Sequence, residues 1–169
     1  MTDPEFRSAF HGNKDVLYRF AYRMSGSAAT ADDVVQDCFL ALWRNPEAYH
    51  PHRGALRAFL LGMARNLLRK RWRGERPYDT LEDDTSICGP VDLELLERAE
   101  AVAHAIGMLP PLQREVAILA EYEEMPLDEI ARATGCELAA VKSRLHRARQ
   151  NLRRWLAPLL ETKGTTYGT

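Results

Sequence analysis

The sequence predicts an all-α protein made of two small helical domains joined by a flexible acidic linker. Apolar residues recur at helical spacing along most of the 169 residues. An acidic stretch with two prolines and a glycine interrupts this pattern at 77–95. The run from Leu127 to Arg149 has the spacing of a helix-turn-helix. We therefore expect domains at 1–76 and 96–161, and a disordered polar tail at 162–169.

Three helices are predicted in the first domain. The first has an apolar stripe at Leu17–Met24 and stops near Gly26, and the second follows a capping box that we place at Thr30 and Asp33. A proline-containing loop at 45–54 then leads to a third helix. The stripe of the second helix comprises Val34, Val35, Cys38, Phe39 and Leu42. The stripe of the third helix comprises Leu56, Phe59, Leu60, Met63, Ala64, Leu67 and Leu68.

The end of the third helix is basic and contains an aromatic residue, Trp72. Its basic residues are Arg65, Arg69, Lys70, Arg71, Arg73 and Arg76. Cationic side chains beside an aromatic ring suit DNA whose bases can be unstacked and gripped. The alternative is that the Trp72 ring packs at the helix end while the cations are only solvated.

The second domain is predicted to hold the helix-turn-helix. A helix runs from Leu93 to Met108, and Pro110 or Pro111 opens the next one. Gly135 supplies the turn, because glycine readily takes a positive φ. The helix after the turn has an apolar face with Val141, Leu145, Ala148, Leu152 and Trp155. Its opposite face carries Lys142, Arg144, Arg147, Arg149, Arg153 and Arg154.

A basic helix directly after such a turn favours DNA binding over the alternative, an exposed amphipathic helix in a bundle. Lys142 could reach guanine acceptors, and Ser143 either a base or a phosphate. His146 projects from the same side, and the arginines would mainly hold phosphates. Glu137, at the helix start, would disfavour a nearby phosphate or select cytosine.

Composition excludes several other classes of protein. The formal net charge is −1, so the clustering of the cations and not their number carries the signal. No apolar run has the length of a membrane span and the first residues lack a secretion-signal pattern, so we expect a cytoplasmic location without membrane insertion. Cys38, Cys88 and Cys136 are an odd number of widely spaced cysteines without CxxC spacing, which indicates reduced thiols and not disulfides or a zinc site. His50 and His52 lack further ligands, and we expect no metal, no cofactor and no enzymatic site.

Three segments together resemble bacterial RNA polymerase sigma factors of the sigma-seventy family, of the extracytoplasmic-function (ECF) type, over nearly the whole chain. ADDVVQDCFLALW, at Ala31–Trp43, is similar to the family's polymerase-binding helix. AFLLGMARNLLRKRWR, at Ala58–Arg73, is similar to the segment that opens and reads the minus-ten element. The segment Leu109–Arg149 is similar to the fourth region, which reads the minus-thirty-five element.

The resemblance implies a promoter-specificity subunit that binds core RNA polymerase at the β′ clamp helices and the β flap. An anti-sigma factor would hold it inactive until a signal arrives. The implied polymerase contacts are Asp33, Gln36, Asp37 and Arg44. The loop 45–54 would hold a flipped minus-ten base. The implied contacts near that element are Asn66, Arg69, Lys70, Arg71, Trp72 and Arg73. The implied upstream contacts are Lys142, Ser143, Arg144, His146, Arg147 and Arg149.

Two other functions are compatible with the same patterns. One is a free-standing helix-turn-helix regulator that acts without polymerase, and the other is an adaptor that binds polymerase but reads no promoter. The charge pattern adds a hypothesis about the free chain. An acidic linker and two basic patches favour a closed form in which the DNA-binding faces are masked.

Overall fold

The computed structural model describes residues 1–75 and 97–161, and over these residues the chain contains helices and turns but no β-strand. The prediction of an all-α fold is confirmed. The predicted linker at 77–95 and the predicted tail at 162–169 lie outside the described residues. The α-helices are α1 (Asp3–Ser25), α2 (Ala28–Arg44), α3 (Leu56–Glu75), α4 (Arg98–Met108), α5 (Pro111–Ala117), α6 (Leu127–Thr134) and α7 (Leu138–Glu161).

The first domain consists of α1, α2 and α3, and its helix ends follow from local chemistry. Thr2 caps α1 in a capping box with Glu5, and Gly26, whose φ is 69°, caps the C-terminal end of α1. Ser27 caps α2, because its side chain accepts a hydrogen bond from the backbone N–H of Thr30 at 3.2 Å. The capping box predicted at Thr30 and Asp33 is therefore wrong. Ser27, three residues earlier, already satisfies that N–H, so Thr30 lies inside the helix.

The chain between α2 and α3 forms two short 3₁₀ turns, Pro46–Ala48 and Pro51–Arg53. In α3, the predicted stripe reaches the core through Leu60, Ala64 and Leu68, which are fully buried. The residues Leu61, Gly62 and Arg65 are buried as well. Helix α3 therefore has a second buried face that its apolar periodicity does not predict.

The second domain consists of α4 to α7, with a π-helical turn at Ile118–Tyr122 after α5. Helices α6 and α7 form the predicted helix-turn-helix, and Gly135 has the left-handed conformation that the turn requires, with φ 66°. Helix α7 is anchored by Val141, Leu145 and Ala148, which are buried.

The two domains pack against each other, and we call this arrangement the closed conformation. Helix α3 lies along α6, and α1 contacts α4 and α5. The buried apolar side chains of both domains form one continuous cluster. The closest approach is at Gly62, where a Cβ would lie 3.0 Å from the carbonyl oxygen of Ala133. A side chain at position 62 would push α6 away, so this glycine permits the packing.

Candidate nucleic-acid interface

The start of α7 presents a group of exposed polar and cationic side chains. They are Lys142, Ser143, His146 and Arg147. The buried residues Val141 and Leu145 fix the rotation of the helix, so these four side chains lie on its solvent side. The structure thus brings together four of the six residues predicted for the upstream element, in the orientation that a DNA groove could meet.

The other two predicted upstream residues make contacts within the chain. Arg144 is half-buried, and its Nη1 atom lies 2.8 Å from the sulfur of Cys136. Arg149 donates from Nε to a carboxylate oxygen of Glu121 at 2.6 Å. The pair of Arg149 and Glu121 is exposed and is worth little in water, so DNA could replace the carboxylate. Arg144 instead helps to hold the turn before α7.

The residues predicted for the minus-ten element divide into two groups on α3. Asn66, Lys70 and Arg73 are exposed, and Asn66 and Lys70, four residues apart, share one side of the helix. Trp72 is half-buried and packs against the hydrophobic cluster. Burial, with a smaller contribution from neighbouring cations, lowers the pKa of Arg69. Of the six predicted minus-ten residues, three are thus exposed and three are half-buried in this conformation.

Arg71 belongs to a different surface from the rest of the minus-ten group. Its guanidinium lies 3.4 Å from an oxygen of Asp33 and 3.7 Å from an oxygen of Asp37 on α2. Two residues predicted to bind polymerase are thus paired with one predicted to bind DNA. These contacts are partly exposed, and we assign them a small contribution to stability.

The loop between α2 and α3 borders a cavity of about 600 Å³. The Tyr49 hydroxyl donates to the carbonyl oxygen of Gly54 at 3.2 Å, and the Tyr49 and Phe59 rings lie 5.5 Å apart. On the other side the cavity is lined by Glu129 and Arg132 of α6. In the closed conformation the second domain therefore stands against the loop that was predicted to receive a flipped base.

The four predicted polymerase contacts lie on the exposed side of α2, next to an apolar groove. Asp33, Gln36, Asp37 and Arg44 are all exposed. The groove between α1 and α2 has a volume of about 400 Å³, and its rim carries Leu40 and Trp43, which are 41% and 50% exposed. Sequence reasoning missed these two apolar side chains. The available signal was the helical spacing of Gln36, Leu40 and Trp43, which places them on one face.

A buried ion pair joins the two domains. Arg65 of α3 donates from Nε and Nη2 to the two carboxylate oxygens of Glu115 in α5, at 2.7 and 3.0 Å. The two side chains are only 6% and 2% exposed. Burial raises the pKa of Glu115, and the hydrogen bonds and charge of Arg65 counteract this only in part.

The raised pKa of Glu115 makes the stability depend on pH. The folded-state pKa of Glu115 lies above its unfolded value. At pH values between the two, the folded chain binds more protons than the unfolded chain does, so the protein becomes more stable as the pH falls through the folded-state pKa. We expect the free energy of unfolding of the wild type to rise relative to that of Glu115→Gln when the pH is lowered from about 8 to about 5. Denaturant titrations at several pH values measure this difference.

A matched control for this prediction is Glu124→Gln, which changes an exposed carboxylate nearby. This variant should keep the pH dependence of the wild type. A free-energy difference between wild type and Glu115→Gln that stays constant with pH would contradict the account.

A second carboxylate at the domain boundary, that of Glu123, is surrounded by arginines of the first domain. The side chain of Glu123 is 1% exposed. Arg57 donates from Nη2 to Oε2 and to the backbone carbonyl oxygen of Glu123, each at 2.8 Å. Arg19 and Arg23 of α1 lie 3.6 and 3.9 Å from its carboxylate oxygens. Sequence reasoning found none of these residues, because each pair is far apart along the chain.

In residues 1–75 and 97–161, no group of three or more His, Cys, Asp or Glu side chains is arranged to hold a metal ion. No helix within the same ranges is both long enough and apolar enough to span a bilayer.

Comparison with known proteins identifies both domains. Residues 9–77 match Sigma-70 region 2, and residues 99–152 match Sigma-70, region 4. The chain is 31% identical over 163 residues to the ECF RNA polymerase sigma factor SigL of Mycobacterium tuberculosis, covering 93% of this chain and 92% of SigL. It is 30% identical over 166 residues to the ECF RNA polymerase sigma factor SigE of Mycolicibacterium smegmatis, covering 91% of this chain but 62% of SigE.

A solved structure supports the same assignment. The sigma factor RpoE of Bartonella quintana, crystallised with the anti-sigma factor NepR, superimposes with a TM-score of 0.70 and 27% identity, over 90% of this chain and 97% of RpoE. Sigma factors are transcription initiation factors and not enzymes. The predicted resemblance is confirmed, and the chain belongs to the ECF RNA polymerase sigma factors.

Proposed function

We propose that this chain binds core RNA polymerase and directs it to promoters, reading the minus-ten element with domain 1–76 and the minus-thirty-five element with domain 96–161. The observation that carries the proposal is the group of exposed polar and cationic side chains at the start of α7. The same chain exposes on α2 the four residues that the resemblance assigns to polymerase binding. Residues 77–95 connect the two domains, and residues 162–169 follow the second domain. The site of action is the cytoplasm, where transcription takes place.

At the upstream element, Lys142, Ser143 and His146 read bases and Arg147 holds a phosphate. Their exposure supports these roles. Arg149 joins them after releasing Glu121, and Arg144 contributes from a partly buried position. We assign to Arg144 a smaller share of the binding energy, since its guanidinium is already in contact with Cys136.

At the minus-ten element, Asn66, Lys70 and Arg73 contact the duplex, since they are the exposed members of the predicted set. Arg69, Arg71 and Trp72 reach DNA only if the domains or the α2–α3 contacts rearrange. A base flipped out of the duplex enters the cavity beside the loop 45–54, whose walls include Tyr49 and Phe59.

The polymerase contacts are Asp33, Gln36, Asp37 and Arg44 on α2, with the β′ clamp helices as the partner, while the second domain meets the β flap. The apolar groove with Leu40 and Trp43 extends this face, and a polar rim around an apolar centre is the usual anatomy of a protein interface. An anti-sigma factor is the proposed inhibitor. The Bartonella RpoE structure supports this proposal because that similar protein was captured with one.

The test is to mix the purified chain with core RNA polymerase, separate the complex by size-exclusion chromatography and transcribe genomic fragments with it. Co-elution and RNA starting at discrete sites are expected. Tight binding to a palindromic site without core would instead support a free-standing regulator. Co-elution without initiation would support an adaptor.

Lys142→Ala is expected to relax the sequence preference at one upstream base pair, because Lys142 is exposed at the start of the recognition helix. The loss should be about 1–3 kcal/mol on the preferred sequence and much smaller on sequences changed at that base pair. Competition binding of the holoenzyme to a set of single-base variants measures it. Arg153→Ala, further along α7, is the control for loss of charge and should weaken all sequences alike. A uniform loss for Lys142→Ala would show that Lys142 contacts only phosphate.

A further inference from the structure

Arg19, Arg23 and Arg57 form a cluster on the first domain that we call the arginine triad. Their guanidinium groups converge on one carboxylate, that of Glu123, which belongs to the second domain. Arg23 also stacks on the ring of Tyr122, with its guanidinium carbon 4.0 Å from the ring centre. Glu123 therefore fits into the triad as a single anionic group inserted from outside.

The carboxylate satisfies the triad only in part. Three positive charges face one negative charge, so an excess of positive charge remains. Within the described part of the chain, Nη1 of Arg23 and Nε of Arg57 are buried without a hydrogen-bond partner, and so is one oxygen of Glu123. Unused buried donors are costly. A phosphate, which offers more acceptor oxygens, could use donors that the two carboxylate oxygens leave free.

The triad lies next to the part of the first domain that we assign to the minus-ten element. Arg57 is in the first turn of α3, three residues after Gly54 at the end of the loop 45–54. The neighbouring residues Ala58 and Phe59 line the cavity beside that loop. A strand whose base enters the cavity would carry its backbone past this end of α3. Backbone phosphate is thus the anion that the position of the triad favours.

The closed conformation cannot read both promoter elements at once. Helix α3 touches α6 at Gly62 and Ala133. Asn66 follows Gly62 and Lys142 follows Ala133 after only a short stretch of chain, so the distance from Asn66 to Lys142 is at most about 40 Å in the closed conformation. The two elements are roughly 25 base pairs apart, or about 85 Å along the duplex. The domains must separate on the promoter, and this separation withdraws Glu123 from the triad.

We propose that the arginine triad is a binding site for a DNA backbone phosphate, and that Glu123 occupies it in the closed conformation in place of that phosphate. One carboxylate thereby holds the domains together and keeps DNA out of the site. The proposal rests on the proposed function for the location of the DNA, while the triad and its occupant are observed in the structure. Opening the chain replaces an internal anion with an external one.

The test measures how the full chain binds a fluorescent 20-nucleotide oligo-dT strand over a series of salt concentrations. Gly62→Leu opens the closed conformation by a clash with α6 and leaves the triad intact, whereas Gly12→Leu, at an exposed site in α1, leaves it closed. Small-angle scattering follows the opening. In the Gly62→Leu chain, Arg19→Gln with Arg23→Gln should lower the affinity roughly tenfold. The same pair should lower the salt slope by about 0.7, the loss of one phosphate contact.

The control pair, Arg7→Gln with Lys14→Gln, removes the same charge from another part of α1. A loss no greater than that of the control pair would overturn the proposal.

A second arm tests the occupant. Glu123→Gln should bind oligo-dT more tightly than wild type, while Glu124→Gln, an exposed neighbour, should bind like wild type. Equal affinities for the two variants would also overturn the proposal. Neither arm uses polymerase, so failure of the triad and failure of the promoter function can be told apart.

Discussion

Asp37→Arg is expected to abolish binding to core RNA polymerase while leaving the fold intact. The side chain of Asp37 is 49% exposed on α2, beside Asp33 and Gln36, and the substitution reverses its charge at the centre of the proposed polymerase face. Disrupting one charged group in such an interface costs about 2–5 kcal/mol, which is about 30-fold to several thousandfold in Kd. Fluorescence titration of labelled core with the variant measures the change.

The structure adds a control, because Asp37 is also 3.7 Å from Arg71 within the chain. Arg71→Gln removes that contact but keeps Asp37, and it should bind core at least as well as wild type. Asp15→Arg makes the same charge reversal on a well-exposed part of α1 and should not change binding. Wild-type affinity for Asp37→Arg would remove this face from the account.

Arg65→Ala is expected to open the closed conformation. The substitution leaves Glu115 buried without the partner that holds both of its oxygens. An unpaired buried charge costs about 3–5 kcal/mol, and separation of the domains lets Glu115 reach water. Small-angle scattering should show a larger radius of gyration, and hydrogen exchange should show loss of protection on α3 and α6.

Replacement of both partners gives the second half of this test. Arg65→Met combined with Glu115→Leu puts apolar groups at both positions and should restore much of the closed population, because no buried charge remains. Arg132→Ala breaks an exposed pair with Asp128 and should change stability by less than about 0.5 kcal/mol. An Arg65→Ala chain that stays as compact as wild type would contradict the role of this ion pair.

The helices and the helix-turn-helix could be predicted because their signals are local. Apolar spacing of three and four residues and the glycine of the turn at Gly135 depend only on neighbouring residues. The contacts between the domains could not be predicted in this way. The partners Arg65 and Glu115 are 50 residues apart, and Arg57 and Glu123 are 66 apart. The available hint was Gly62, a glycine inside a helical pattern, which often marks a close packing contact.

The structure places more of the predicted upstream residues than of the predicted minus-ten residues on one exposed face, and helix geometry explains the difference. The predicted upstream residues Lys142, Ser143, His146 and Arg147 recur with helical spacing, so they share a face. The minus-ten prediction included the consecutive residues 69–73, and five consecutive helical residues point in all directions around the axis. Some had to face the core or α2, as Trp72 and Arg71 do.

The distance between the two domains, in the free chain and on a promoter, tests the central claim most directly. Fluorescent labels at Ser8 in α1 and Gln150 in α7, both exposed, report it by energy transfer. The account predicts high transfer in the free chain. In the complex with core polymerase and promoter DNA, the separation of two elements about 85 Å apart should nearly abolish it. Equal transfer in the two states would contradict a chain that opens to read both elements.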